Sequence, residues 1–154
     1  MEFFEVVKNR HCCRNFDPNK KVSNEDIEKI IQAGKMAPSA GGIYPVGFEI
    51  IKNQKTKNSL AEAASQQNFI AEASIVLVIW ADVDKTRQKY GERGQNLYAI
   101  QDAAAAAENI FLTTTALGLS ACWVGAFDEQ KVAKILNLKN NQRPLTIMPI
   151  GYPS

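Results

Sequence analysis

Residues Ser74-Ile75-Val76-Leu77-Val78-Ile79-Trp80 form an almost unbroken apolar run rich in β-branched side chains. A strand with no polar alternation must be covered on both faces, so this one belongs at the centre of a sheet with a layer above and a layer below. The rest of the chain has to supply those layers and the neighbouring strands.

Helical signals flank the run. Phe3 to Lys8 reads as a short first helix, and Ser23-Asn24-Glu25-Asp26 leads into Ile27, Ile30, Ile31 and Ala33 at helical spacing. Ser23 followed by Asp26 resembles a capping box with Asp in place of Glu, and Pro38 should end that helix. Phe48 to Ile51 reads as a strand and Thr56 to Ala64 as a helix. About Asn96 to Leu117 forms an alanine-rich helix closed by Gly118, whose small side chains permit close helix approach. Cys122-Trp123-Val124 is a short strand, Glu129 to Leu136 a helix, and Leu145 to Ile150 a final strand. This order predicts an α+β sandwich, and 154 residues with no repeat or linker suit one domain spanning 1–154. Trp123, Phe127 and Tyr98 read as core packing.

Several function classes are disfavoured. A net charge of +2 and no basic run interleaved with aromatics argue against nucleic acid. No stretch reaches membrane-spanning length and Met1 to Glu5 lacks a signal-peptide pattern, so the expectation is a cytoplasmic protein that does not bind membranes. The three cysteines fit neither a disulfide framework nor zinc spacing, which predicts reduced thiols and no metal. There is no Walker A sequence, and Gly91 with Gly94 lacks the strand and third glycine of a dinucleotide fingerprint. With one histidine, His11, any hydrolytic triad would have to be built around it.

Two motifs carry chemistry. Arg10-His11-Cys12-Cys13-Arg14-Asn15-Phe16 concentrates positive charge, and Ala37-Pro38-Ser39-Ala40-Gly41-Gly42 is a tight loop whose amides can approach a ligand. Together they pair an anion clamp with a backbone cradle, which is what a phosphorylated cofactor requires. Taken alone, Arg10, His11 and Arg14 fit equally well a solvated turn pairing with surface carboxylates.

The whole pattern resembles the nitroreductase family of FMN-dependent oxidoreductases. The family's Arg-Arg/His-Ser-x-Arg/Lys-x-Phe opening is similar to residues 10–16, and its Ala-Pro-Ser loop to Ala37-Pro38-Ser39. Further landmarks follow in order: Gln67 before a strand, the alanine-rich helix, Leu117 to Gly125 with its Cys122-Trp123, and Pro149-Ile150-Gly151-Tyr152-Pro153.

The resemblance implies a nitroreductase fold, with a mostly antiparallel central sheet flanked by helices, and a homodimer holding FMN at the subunit interface. Arg10 and His11 would hold the FMN phosphate and ribityl chain, with Cys12 where the family has a phosphate-facing serine. Arg14 would sit near the pyrimidine side, where a cation favours the reduced flavin. Pro38, Ser39 and Ala40 would line the ring from the opposite subunit, with Gly42 where many members carry an asparagine. Gln67 would meet the ring's polar edge, and Gly125 and Ala126 would complete the set, the Gly125 amide lying near N5. No side chain is expected to be catalytic, because the flavin carries the reaction. The implied activity takes hydride from NADH or NADPH and reduces a small oxidised acceptor by ping-pong turnover, with nitroaromatics and quinones as surrogates. Alternatives are an azoline-oxidising FMN dehydrogenase of the same fold, suggested by Pro38 to Pro45, and a flavin-binding module without turnover.

Overall fold

The computed structural model describes residues 1–154. Four strands, β1 (Val46–Ile51), β2 (Ile75–Asp82), β3 (Ser120–Ala121) and β4 (Gln142–Gly151), form one sheet in the order β1-β2-β4-β3 with every ladder antiparallel. The apolar run is central, as its composition requires, with β1 on one side and β4 on the other.

Because side chains alternate along a strand, β2 feeds two cores at once. Ile75, Leu77 and Ile79 point to one face with Met148 and Ile150 of β4, and Val76 and Val78 point to the other with Ile147. The first face is covered by α2 (Asn24–Lys35) and α6 (Ala99–Ala116) through Ile27, Ile30, Ala103, Ala107, Ile110 and Phe111. The second is covered by α3 (Gln54–Ala63), α4 (Phe69–Glu72) and α7 (Glu129–Ile135) through Leu60, Ala61, Ile70 and Val132. A β-bulge between Ile79 and Trp80 shifts the register toward the end of β2. No helix is long and apolar enough to cross a membrane.

Helix starts follow the local chemistry. Ser23 Oγ accepts from the Asp26 amide at 3.0 Å at the start of α2. The expected reciprocal bond differs: the Asp26 carboxylate, one methylene shorter than Glu, accepts from the Ser23 hydroxyl at 2.8 Å instead. Asn53 and Asp128 cap α3 and α7 in the same way. In α1 (Phe3–Asn9) only Val6 is buried, leaving Phe3, Phe4 and Val7 exposed.

Three sequence expectations need correction. The strand placed at Cys122–Val124 lies instead at Ser120–Ala121, with Val124 returning as an isolated bridge to Ile147. Cys122 donates its amide to the Pro149 carbonyl at 3.2 Å, but Pro149 has no N–H to give back, so the ladder breaks there. Second, α5 (Val83–Arg93) went unread because it buries only Val83 and Thr86 and so has little apolar periodicity. Gly91, at φ 61°, breaks α5, and a π-helical turn over Gly94–Tyr98 leads into α6, which starts at Ala99 rather than near Asn96. Third, Tyr98 is not in either core. Its ring meets Tyr90 edge-on at 5.1 Å and its hydroxyl lies 3.1 Å from Arg93 Nε. Trp123 and Phe127 do pack against the two cores. All three cysteines are free thiols.

Candidate functional site

The basic segment is pinned to the end of the sheet by backbone pairing. The Cys13 amide donates to Ala121 O and the Asp17 amide to Tyr152 O, both at 2.9 Å, and Phe16 bridges Pro153. Phe16 and Cys13 are buried with Ala73, which anchors the segment while Arg10, His11, Cys12 and Arg14 stay at the surface.

Each polar side chain there has a defined neighbour. The Arg10 guanidinium lies 4.9 Å over the Phe111 ring, and its Nε is a loose 3.8 Å from Glu108 Oε1. His11 Nδ1 is 2.8 Å from the Asn9 carbonyl, which favours the tautomer donating from Nδ1 and leaves Nε2 uncommitted. Arg14 sits 5.9 Å over the Phe69 ring and within electrostatic reach of Cys122. The solvated-turn alternative required surface carboxylates pairing with these side chains, and the one ion pair formed is the long Arg10–Glu108 contact. Basic capacity therefore remains open at this end of the sheet.

Gln67 and Ala126 meet nearby. Gln67 Nε2 donates to Ala64 O at 2.9 Å and toward Ala126 O at 3.4 Å, which commits the amide nitrogen to the protein. The preceding Ser65 and Gln66 both adopt left-handed backbone, φ 58° and 59°, a conformation that costs L-residues about 1 kcal/mol or more each and that clusters at ligand sites. Gly125 and Ala126 are exposed, and a Cβ built on Gly125 would meet no atom within 4 Å.

The Pro38–Gly42 loop is built differently. Asp102, on α6 and 6 % exposed, accepts from Ser39 Oγ at 2.7 Å and from the Ala40 amide at 3.0 Å. Ser39 Oγ in turn accepts from the Tyr44 amide at 2.8 Å, closing a loop in which Gly41, Gly42 and Tyr44 all have positive φ. Lys89 of α5 donates to Gly41 O at 3.0 Å from the outside. Pro38 and Ser39 also edge an apolar cavity of about 150 Å³ with Gly34, Phe48, Val46 and Ala106. The role of Asp102 was not read from the sequence, because its partners lie more than 60 residues away.

The chain thus brings the predicted residues together in two groups rather than one. Cys12 pairs with β3, Arg14, Gln67, Gly125 and Ala126 lie at Phe69 and the loop after β3, and Arg10 and His11 continue the basic segment toward Phe111, Glu108 and Asn9, whereas Pro38, Ser39, Ala40 and Gly42 belong to the loop held at the start of α6. No hydrogen bond or ion pair joins the two groups.

The nitroreductase family model matches residues 7–78 and 64–152. A protein of Archaeoglobus fulgidus, provisionally named an NADH dehydrogenase/NAD(P)H nitroreductase, is 28% identical over 156 residues, covering 99% of this chain and 86% of its own. A provisionally named nitroreductase of Methanocaldococcus jannaschii is 36% identical over 141 residues, covering 76% of this chain and 70% of its own. Among solved structures, a nitroreductase family protein from Clostridium novyi NT superposes with a TM-score of 0.88 at 28% identity, covering 100% of this chain and 86% of that one. With the family pattern matched along nearly the whole sequence and the fold matched along all of it, the chain belongs to the nitroreductase family.

Proposed function

We propose that the protein is an FMN-dependent oxidoreductase that takes hydride from NADH or NADPH and reduces a small oxidised acceptor, working as a homodimer with FMN at the subunit interface. The observation that carries this reading is the pair of lightly paired guanidiniums, Arg10 and Arg14, with the His11 imidazole between them in sequence and open space at Gly125. That donor set suits a phosphate-bearing ring. Arginine forks grip phosphate, uncommitted imidazole nitrogen serves a ribityl hydroxyl, and a cation beside a flavin's pyrimidine edge stabilises added negative charge. When bound, FMN supplies the two-electron chemistry, which fits a chain whose single histidine is tied to its own backbone.

The residues of this chain divide the work. Arg10 holds phosphate, with Phe111 beneath it and only a loose contact to Glu108 competing for it. Gln67 has its nitrogen occupied and offers Oε1 as an acceptor for a ring N–H. Gly125 leaves room for a ring edge to approach its amide, which any larger residue would narrow. Asp102 holds Ser39 and Ala40 as a preformed platform. The separation of the Pro38–Gly42 platform from the basic group supports a composite site in which one subunit supplies the clamp and the other the platform.

The purified protein's absorption spectrum is the first test: a flavin band near about 450 nm is expected. Anaerobic mixing with NADH or NADPH should then bleach that band promptly. A flavin that binds and does not bleach makes the protein a binding module, and no flavin uptake by protein reconstituted with FMN removes the proposal altogether.

A further inference from the structure

Lys57 is the one buried cation of the protein, 3 % exposed, and it forms no ion pair. Its ammonium donates to Ala73 O at 2.7 Å, which spends one of three N–H groups. Buried charges are ordinarily paired, so the missing counter-charge is the feature to explain. Lys57 lines a polar cleft of about 500 Å³ together with Lys21, Gln54, Asn58, Asn68 and Glu72.

Three elements fix the walls of this cleft. α3 carries Gln54, Lys57 and Asn58, and α4 carries Glu72 with Asn68 just before it. Lys21 belongs to a segment tied down on both sides of it. The Asp17 amide donates to Tyr152 O and the Val22 amide to Ser74 Oγ, both at 2.9 Å.

Donors dominate the lining. Lys21 Nζ spends one N–H on Pro18 O at 3.1 Å, leaving two. Gln54 Nε2 donates to Asn58 Oδ1 and to Ala71 O, both at 2.9 Å, which commits the Asn58 oxygen and leaves its amide nitrogen open. Asn68 makes no capping bond to α4. Glu72 is the single acid on the lining; it is exposed and pairs with neither lysine. Burial first, and the Lys21 charge second, hold the Lys57 ammonium below its ordinary pKa. An anion between the two lysines offsets both effects.

We propose that this cleft binds a phosphate-sized oxyanion, free or as the phosphoryl group of a larger polar molecule, between Lys21 and Lys57, with Asn58 and Asn68 donating to its remaining oxygens. Lysine ammoniums and side-chain amides are established donors to such oxygens. The cleft leaves space beyond a bare phosphate, and its lining offers amides rather than aromatic rings, so the body of a larger ligand is hydroxylated rather than planar and apolar. The proposal does not rest on the flavin reading, because no residue of the cleft belongs to the expected cofactor set.

The test is a titration of the isotope-labelled full chain, followed by its amide NMR signals, with sodium phosphate and separately with glycerol phosphate. Ionic strength is held constant with sodium chloride, so that simple screening is removed from the comparison. The signals of Lys21, Asn58 and Asn68 should shift and saturate, and the same shifts should appear in Arg10→Ala. Lys21→Ala, at an exposed position, should weaken phosphate binding roughly tenfold, the loss of one charged donor. Glu72→Gln should tighten it about threefold by removing the acid on the lining. Lys57→Met keeps the stem and removes the charge, and should abolish binding; if that variant fails to fold, Lys21→Ala and Glu72→Gln still decide the matter. Tighter binding of glycerol phosphate assigns the larger ligand and tighter binding of phosphate the free ion, and either supports the cleft. Shifts confined to Arg10 to Arg14, shifts reproduced by chloride alone, or parental affinity in Lys21→Ala overturn the proposal.

Discussion

Asp102 offers the sharpest test of how the platform loop is held. In Asp102→Ala, Ser39 Oγ and the Ala40 amide lose a carboxylate accepting at 2.7 and 3.0 Å. Hydrogen bonds to a charged acceptor contribute about 1.5–3 kcal/mol each. Ser39 and Ala40 are only half-buried, so water can replace part of this, and the net cost should be about 2–4 kcal/mol. For a chain of this size that lowers Tm by roughly 4–16 °C. Asp102→Asn keeps one acceptor and turns an amide toward the other donor, so about half the loss is expected. Urea unfolding gives the free energies, and amide exchange at Ala40 and Tyr44 locates them: both amides should exchange faster in Asp102→Ala, because Ser39 Oγ loses the contact that orients it toward Tyr44. If Asp102→Ala unfolds within about 0.5 kcal/mol of the parent, the carboxylate does not hold the loop.

Arg10→Ala should weaken FMN binding, while Arg14→Lys should spare it and shift the flavin's reduction potential; apoprotein titration and potentiometry would show equal affinity losses if the roles are misassigned. Gly125→Ala, with open space around the new methyl group, should unfold within about 0.5 kcal/mol of the parent and yet bind FMN less well, whereas Gly94→Ala would drive Cβ into the Thr86 carbonyl and cost roughly 1–3 kcal/mol. Undiminished FMN affinity in the first, or full stability in the second, would contradict the geometry. The Cys122 thiol has its pKa raised by burial from 9.0 to about 12, so the native state keeps a proton that the unfolded chain releases. Its contribution is therefore complete below about pH 9 and is lost as pH climbs toward 12; urea unfolding across that range should fall less steeply in Cys122→Ala than in the parent.

The sequence was most legible where burial is two-sided. Ile75 to Trp80 announced a central strand because no other environment suits six consecutive apolar residues, and the Ile27, Ile30 and Ile31 spacing announced α2 for the same reason. Residues with weak burial left weak traces. α5 is mostly solvated and carries no stripe, and Pro149 broke a ladder that the residues of the opposite strand could not foretell. In the site, Arg10 and Arg14 were visible as charge, but only the fold shows that Phe111 and Phe69 lie beneath them. Asp102 carried no legible role, since an acid in an alanine-rich helix acquires meaning only from the distant Ser39 and Ala40.

The clasp between the basic segment and the far end of the chain sets an order of events during synthesis. Asp17 pairs with Tyr152 and Asn15 with Ser154, contacts that close loops of well over half the sequence, and β2 pairs with β4 across a shorter but still long-range separation. A ribosome making this protein has released α1, α2 and the central strand long before β4 emerges. Until then β2 has β1 on one side and an open edge on the other, and the basic segment lacks its pairing with Tyr152 and Ser154. The nascent chain therefore carries an open apolar strand edge until β4 is made, which is the situation in which holding chaperones act, and the clasp of the basic segment to Tyr152 and Ser154 is among the last contacts to form.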